Sequence, residues 1–234
     1  MEKNKIFRWA AVGLLAAAGM ACSNDDEKPE PVTFAFTFNS GAEGWTGDFA
    51  DYPVGEEDFY ELLFEHDSLP TPLDENDGAL KMSGNNHSDD LFMFVKRKVS
   101  GLLPNTEYNV TFTLEFASNV ADNTMGAGGS PGESVYVKAG ATRTSPGKIP
   151  DTENFYRMNI DKENQAQGGD DLLLLGDFSN DTDKAVYTLK TLTNATPMTV
   201  TSDENGELWI IAGTDSGFEA TTTIYYNSIK VEFF

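Results

Sequence analysis

Along residues 101–118 the chain reads G-L-L-P-N-T-E-Y-N-V-T-F-T-L-E-F-A-S. After a Pro-Asn-Thr turn, Tyr108, Val110, Phe112, Leu114 and Phe116 alternate with Asn109, Thr111, Thr113 and Glu115. A period of two puts the apolar set on one face of a strand and the polar set on the other. The same alternation predicts strands over residues 33–38, 79–83, 91–99, 134–139, 155–160 and 198–201. Residues 45–52 read as a strand or an ordered crossing, and 59–65 as a strand or one helical turn. The four consecutive apolar residues 172–175 predict a short strand covered on both faces. Residues 185–189 are expected to form a further short strand. Asp203-Glu204-Asn205-Gly206 predicts a hairpin turn with residues 208–213 pairing back across it. The chain closes with a strand over 221–234, on which Tyr225, Ile229, Val231 and Phe233 are expected to share a face. Gly, Pro, Asn and Asp set the intervening 68–78, 84–90, 119–132, 142–154 and 161–171 as loops. No segment from Thr33 onward carries a helical period. About a dozen short strands without helices predict an all-β sandwich or barrel.

The run G-L-L-P-N-T-E-Y-N-V-T-F resembles a central strand of carbohydrate-binding-module-like, galactose-binding-like jelly rolls. T-I-Y-Y-N-S-I-K-V-E-F resembles the last strand of the same modules. The resemblance implies a two-sheet antiparallel β-sandwich of jelly-roll type over residues 33–234, and extracellular glycan as the expected ligand. The runs D-F-A-D-Y-P-V-G and G-G-S-P-G-E-S-V-Y-V-K-A-G resemble stretches of bacterial lipoproteins and carry no activity with them. Such folds host unrelated functions, so function has to be sought in a site.

Charge narrows the partners. The 234 residues hold 16 Lys+Arg against 38 Asp+Glu, a formal net charge of -22. Nucleic acid is excluded as a partner, because binding it requires clustered Lys and Arg to neutralise phosphates. At the N-terminus Lys3, Lys5 and Arg8 precede an apolar run over residues 9–21. That run is too short to span a bilayer, which takes about 20 apolar residues, and it fits the core of a signal peptide. Gly19-Met20-Ala21-Cys22 resembles a bacterial lipobox, with Gly19 where leucine is usual. It implies a signal peptide over 1–21 and lipidation of Cys22, the only cysteine, which leaves no disulfide. Residues 22–32, with their charges and two prolines, read as an acidic tether. Its acidic patch resembles a signal for the outer face of the outer membrane. The expected membrane contact is the lipid anchor alone.

Three stretches offer chemistry. Glu56, Asp58 and Glu61 fit E-x-D-x-x-E, which resembles the catalytic strand of laminarinase-type glycoside hydrolases, with Glu56 as nucleophile, Asp58 as helper and Glu61 as acid/base. A retaining hydrolase needs its two carboxyls about 5–5.5 Å apart. On a regular strand Glu61 faces away from the other two, so the expectation is a non-catalytic acidic strand end, with the hydrolase as an alternative. Gly128-Gly129-Ser130-Pro131-Gly132 matches G-x-S-x-G but lacks the helix that a nucleophile elbow requires. In the polar loop 84–90, Asn85, Asn86, His87 and Asp89 are candidate ligand contacts, alongside Trp45 and Tyr156 as sugar platforms. Asn and Asp form turns equally well. Asp48, Asp51, Asp89 and Asp90 are candidate ligands of a structural Ca²⁺, for which carboxylate and amide oxygens are suited. Trp209, within Leu208-Trp209-Ile210-Ile211, is expected in the core. The expected whole is a non-catalytic surface lipoprotein whose loops or open sheet face bind extracellular glycan or a surface protein. A structural or assembly component of the cell surface is the other reading.

Overall fold

The computed structural model describes residues 30–234, so Cys22, the signal peptide and most of the tether lie outside the described residues. Fifteen strands and no helix occupy the described residues: β1 (Val32–Phe36), β2 (Thr46–Ala50), β3 (Tyr52–Pro53), β4 (Leu63–Ser68), β5 (Gly78–Asn85), β6 (Leu91–Ser100), β7 (Glu107–Ser118), β8 (Val135–Thr142), β9 (Lys148–Pro150), β10 (Phe155–Met158), β11 (Leu173–Asp177), β12 (Thr188–Thr193), β13 (Met198–Thr201), β14 (Glu207–Ser216) and β15 (Thr221–Phe233). One antiparallel sheet runs β12-β7-β15-β5-β4, with β13 beside the other half of β7 and β1 beside β15. The facing sheet runs β11-β8-β14-β6-β2. From β5 to β8, and again from β13 to β15, each strand lies in the sheet opposite its predecessor. That alternation is the jelly-roll path. The chain is an all-β, two-sheet antiparallel sandwich of that type.

β7 behaves as its alternation requires. Tyr108, Val110, Phe112, Leu114 and Phe116 are buried in one core with Val95, Val137 and Ile210 of the facing sheet. Asn109, Thr111 and Thr113 stay on the outer side. On β15 the expected single face does not survive, because the register with β7 shifts between Tyr226 and Ser228. This bulge adds one residue and exchanges the faces. Tyr226, Ile229, Val231 and Phe233 therefore point inward, while Tyr225 packs outside with Leu69, Ala79 and Ala117.

Three further expectations are corrected. The turn at Asp203 does not close a hairpin: β13 pairs with β7, whereas β14 pairs with β6 and β8 in the other sheet. Ser202, fully buried, accepts from Thr106 N and donates to Leu103 O at this crossing, turning the chain toward the second sheet. Residues 172–175 are not covered on both faces, since β11 is an edge strand paired only to β8 and Leu174 is exposed. Residues 59–62 form a turn, and the strand there begins at Leu63.

A small third sheet, β3-β10-β9, lies outside the five-stranded sheet. Phe92 and Phe94 of β6 and Ile211 of β14 project outward and are buried there with Ile160, Leu172 and Met158. This cover layer shelters one face of the sandwich. On the seven-stranded sheet, β12 and β13 share the edge of β7, and the break between them is filled by a side chain. Asn194 accepts from Phe112 N (2.6 Å) and donates to Val110 O (3.1 Å) and Thr196 O (2.8 Å). Asn194→Ala leaves these buried groups unmet and is expected to lower the unfolding free energy by about 1–3 kcal/mol. Thr199→Ala, at an exposed position of β13, is expected to change it by less than about 0.5 kcal/mol. Urea unfolding of both variants checks this, and equal shifts would contradict it.

Candidate functional site

Residues 56–62 wind into a compact turn. Tyr60 N donates to Glu56 O (2.9 Å), Glu61 N to Asp58 O (3.2 Å) and Leu62 N to Glu57 O (3.3 Å), with Glu61 at φ 52°. The turn sends neighbouring rings in opposite directions: Tyr60 is 2% exposed and Phe59 is 58% exposed. His87, from the loop between β5 and β6, stacks on Phe59 with ring centroids 4.2 Å apart and planes 22° from parallel. Tyr60 meets His87 edge-on at 5.3 Å. Tyr60 also packs on Tyr52 (5.5 Å), which packs on Tyr156 (5.3 Å). The five rings form a strip from the exposed Phe59–His87 pair to the half-buried Tyr156 of β10. Lys148 Nζ lies 4.6 Å from the Tyr156 ring, donates to Tyr52 Oη (2.6 Å) and pairs with Asp48 (3.2 Å). Burial works against the Lys148 charge, but Tyr52 and Asp48 outweigh it and hold its pKa above the ordinary lysine value.

The loop carrying His87 is fastened at every other position. Asn86 donates to Ser216 O (2.8 Å) and Phe218 O (3.0 Å), and its Oδ1 accepts from Ser88 N (3.0 Å). Ser88 donates to Asp51 O (2.8 Å), and Gln165 donates to Asp89 O (2.7 Å). Asn86 is therefore scaffold; being 1% exposed, it is not the ligand contact expected of it. Asn85 sits at the rim and donates to Glu61 Oε1 (3.2 Å). Trp45 is also corrected. It is 2% exposed and edge-on to Phe36 (5.4 Å) and Phe38 (6.2 Å), so it belongs to the core. Trp209 goes the other way: it lies on the outer side of β14, half-buried, with Lys96 Nζ 5.9 Å from its ring. Of the six expected contacts, His87 and Tyr156 lie in the strip and Asn85 bonds Glu61 of the turn that carries Phe59, while Asp89 is held through its backbone carbonyl by Gln165; Phe59, unforeseen, is the exposed end.

Beneath the strip lies a buried charge network. Lys162 Nζ, in the chain after β10, reaches Asp215 Oδ2 of β14 (2.9 Å), Asp51 Oδ2 (3.1 Å) and Asp90 Oδ1 (3.8 Å). Arg157 of β10 meets Asp51 (3.1 Å), Asp90 (3.5 Å) and Asp151 (3.2 Å). Lys138 of β8 pairs with Asp215 at 2.8 Å. Burial disfavours the Lys162 charge, yet Asp215, Asp51 and Asp90 together hold its pKa above the ordinary value. Burial raises Asp51 against the pull of Lys162 and Arg157.

Two candidate sites, the calcium site and the alternative hydrolase site, are not assembled. Among the described residues no group of three or more His, Cys, Asp or Glu is placed to hold a metal ion. Of the expected calcium ligands, Asp48 faces Lys148, while Asp51 and Asp90 meet around Lys162 and Arg157. The positive charge these carboxylates require comes from the chain itself, and Asp89 contributes its backbone carbonyl to Gln165. Glu56, Asp58 and Glu61 stand exposed on the turn, so the strand-borne geometry of the hydrolase motif is absent. Two clefts of about 420 Å³ each, at Thr142, Arg143, Asp170 and Thr199 and at the 124–130 loop, are lined by none of these carboxylates.

No protein-family model and no curated protein sequence matches the chain. Solved structures with similar strand layout include TmCBM27, a carbohydrate-binding module described in terms of mannan recognition (12% identity, 87% of this chain and 98% of that one, TM-score 0.40). Another is the K3 cleaved adhesin domain of Lys-gingipain from Porphyromonas gingivalis (10% identity, 87% and 99%, TM-score 0.40). A third is the CBM22-1 xylan-binding domain of Paenibacillus barcinonensis Xyn10C (9% identity, 86% and 92%, TM-score 0.39). At TM-scores this low the likenesses decide nothing about this chain.

The network gives the fold a defined pH response. Burial first, then Asp51 and Asp215, push the Asp90 pKa up to about 7 against Lys162 and Arg157. A carboxyl whose folded pKa lies above its unfolded value stabilises the fold when protonated. That contribution is whole below the ordinary value of 3.8 and is lost as pH rises through about 7. Asp90→Asn cannot titrate. Its thermal midpoint is expected to rise relative to that of the native protein as pH goes from acidic to slightly alkaline, and a constant difference would contradict the assignment.

Proposed function

We propose that the domain is a non-catalytic binding module that takes extracellular glycan on the Phe59–His87 pair, held at the outer-membrane surface through Cys22. The exposed stacked pair carries this reading. Phe59 is 58% exposed and His87 stacks on it, so the pair presents a fixed, flat aromatic face to solvent. A pyranose presents a flat C–H face that packs on such a ring, while its hydroxyls need donors and acceptors at the margin. Glu61, Asn85 and Glu57 supply that margin, and the buried rings of Tyr60 and Tyr52 support the pair from behind. The fastened loop favours binding, since a platform already ordered loses little conformational entropy when its ligand arrives. Exposed carboxylates on a turn, outside the two clefts, favour recognition without hydrolysis. The lipobox-like Cys22 and the acidic residues after it support the location.

Binding to soluble and insoluble polysaccharides, followed by calorimetry on the positive ones, tests the proposal. Phe59→Ala is expected to weaken binding about tenfold, equivalent to roughly 1.4 kcal/mol, with unfolding unchanged because the ring is exposed. A flat response across chemically diverse glycans would remove the reading, and undiminished affinity in Phe59→Ala would remove the site.

A further inference from the structure

Lys138 and Asp215 stand on neighbouring strands of the five-stranded sheet. Lys138 pairs in register with Gly213, and Asp215 with Tyr136, so the two side chains project from one face as diagonal neighbours. The cover layer seals both, and each side chain is 0% exposed. Lys138 Nζ lies 2.8 Å from Asp215 Oδ2, and its second acceptor is Lys162 O, also at 2.8 Å. Asp215 Oδ2 accepts in addition from Lys162 Nζ (2.9 Å) and Gln165 N (3.1 Å). Asp215 Oδ1 is buried with no partner at all. An ion pair sealed from water is a poor source of stability, and an unmet buried oxygen makes it poorer.

We propose that Lys138 and Asp215 condense into an intramolecular isopeptide bond that cross-links β8 to β14. A proton passes from the Lys138 ammonium to the Asp215 carboxylate, leaving a neutral amine beside a carboxylic acid. The amine lone pair forms the Nζ–Cγ bond, and the Cγ–Oδ1 bond breaks. Oδ1 departs with two of the three ammonium protons as water, and the third remains on the amide nitrogen. No oxidant and no second reactant enter.

The surroundings already suit the product. The amide N–H inherits Lys162 O as its acceptor, and Oδ2, now the amide oxygen, keeps Lys162 Nζ and Gln165 N as donors. The one atom without a partner is the one expelled. The two lysines divide the work. Burial pushes the Lys138 pKa below the ordinary lysine value despite Asp215, which favours the nucleophilic amine. Lys162, held charged by three carboxylates, stabilises the negative charge that develops on Oδ2. The other buried lysines lack these conditions: Lys162, though 2.9 Å from Asp215 and 3.1 Å from Asp51, has its pKa held above the ordinary value, and Lys190 meets Asp177 at 3.0 Å, but the Asp177 side chain is 36% exposed.

Tryptic digestion of the purified, folded full-length protein and mass spectrometry test the bond. The expected product is a branched peptide joining the segment that holds Lys138 to the segment that holds Asp215. It is one water lighter than the two together, with no cleavage after Lys138 and no link between Lys190 and Asp177. Lys138→Met and Asp215→Ala are each expected to abolish the branched peptide, but the decisive reading is on the native chain and needs neither variant to fold. Cleavage after Lys138 and two separate, full-mass peptides from folded protein would overturn the proposal.

Discussion

One ammonium group ties together three parts of this molecule. Lys162 Nζ touches Asp215 on β14, Asp51 at the end of β2 and Asp90 at the end of the loop that carries His87. Each of these acidic side chains is costly to bury alone, and Lys162 is the cation all three share, with Lys138 adding to it at Asp215 and Arg157 at Asp51 and Asp90. The consequence is mechanical as well as electrostatic. The cover layer cannot leave the sandwich without taking Lys162 from Asp215 and Asp51, and the His87 loop cannot move without drawing Asp90 away from Lys162. Asn86 and Ser88 reinforce that hold through backbone carbonyls, so His87 is presented rather than merely exposed.

The jelly-roll path determines where such a platform can exist. Alternation of strands between the sheets fills the interior with the inward faces of β6, β7, β8, β14 and β15. The third sheet then closes much of one outer face, and residues around Leu69 and Tyr187 close part of the other. Open surface remains on the outer polar stretch of β7 and at the margin where the 56–62 turn, the 84–90 loop and β10 meet. The margin has the aromatic surface, and the open stretch of β7 has hydroxyls without rings.

Much of the fold was legible because local pattern and global packing agree. The alternation of Tyr108 to Phe116 made β7 readable, and Met198 to Thr201 was read to the residue. Failures arose where one residue reverses a pattern or a tertiary contact overrides it. The bulge at Asn227 exchanges faces without altering composition. The Asp203 turn has hairpin chemistry, yet buried Ser202 diverts it between sheets. In the site, His87, Asn85 and Tyr156 stood out by residue type, whereas Trp45 misled because residue type alone does not distinguish a sugar platform from a ring that the core has claimed. Phe59 was masked by its acidic neighbours, although an aromatic among charges in a turn is itself a signal. The buried network left no trace in the pattern. Lys138 sits where β8 alternation points outward, and only the cover layer, whose β9 and 161–171 segment read as loops, turns outward into buried.

The central claim is that Lys162 couples the cover layer to the His87 loop, and amide hydrogen exchange on Lys162→Met tests it most directly. Local opening shows as lost protection in the segments that open together. The account predicts that residues 159–172 and 86–90 lose protection in concert, while the amides of β7 and β15 keep theirs. Loss confined to residues 159–172, with the 86–90 loop still protected, would contradict it.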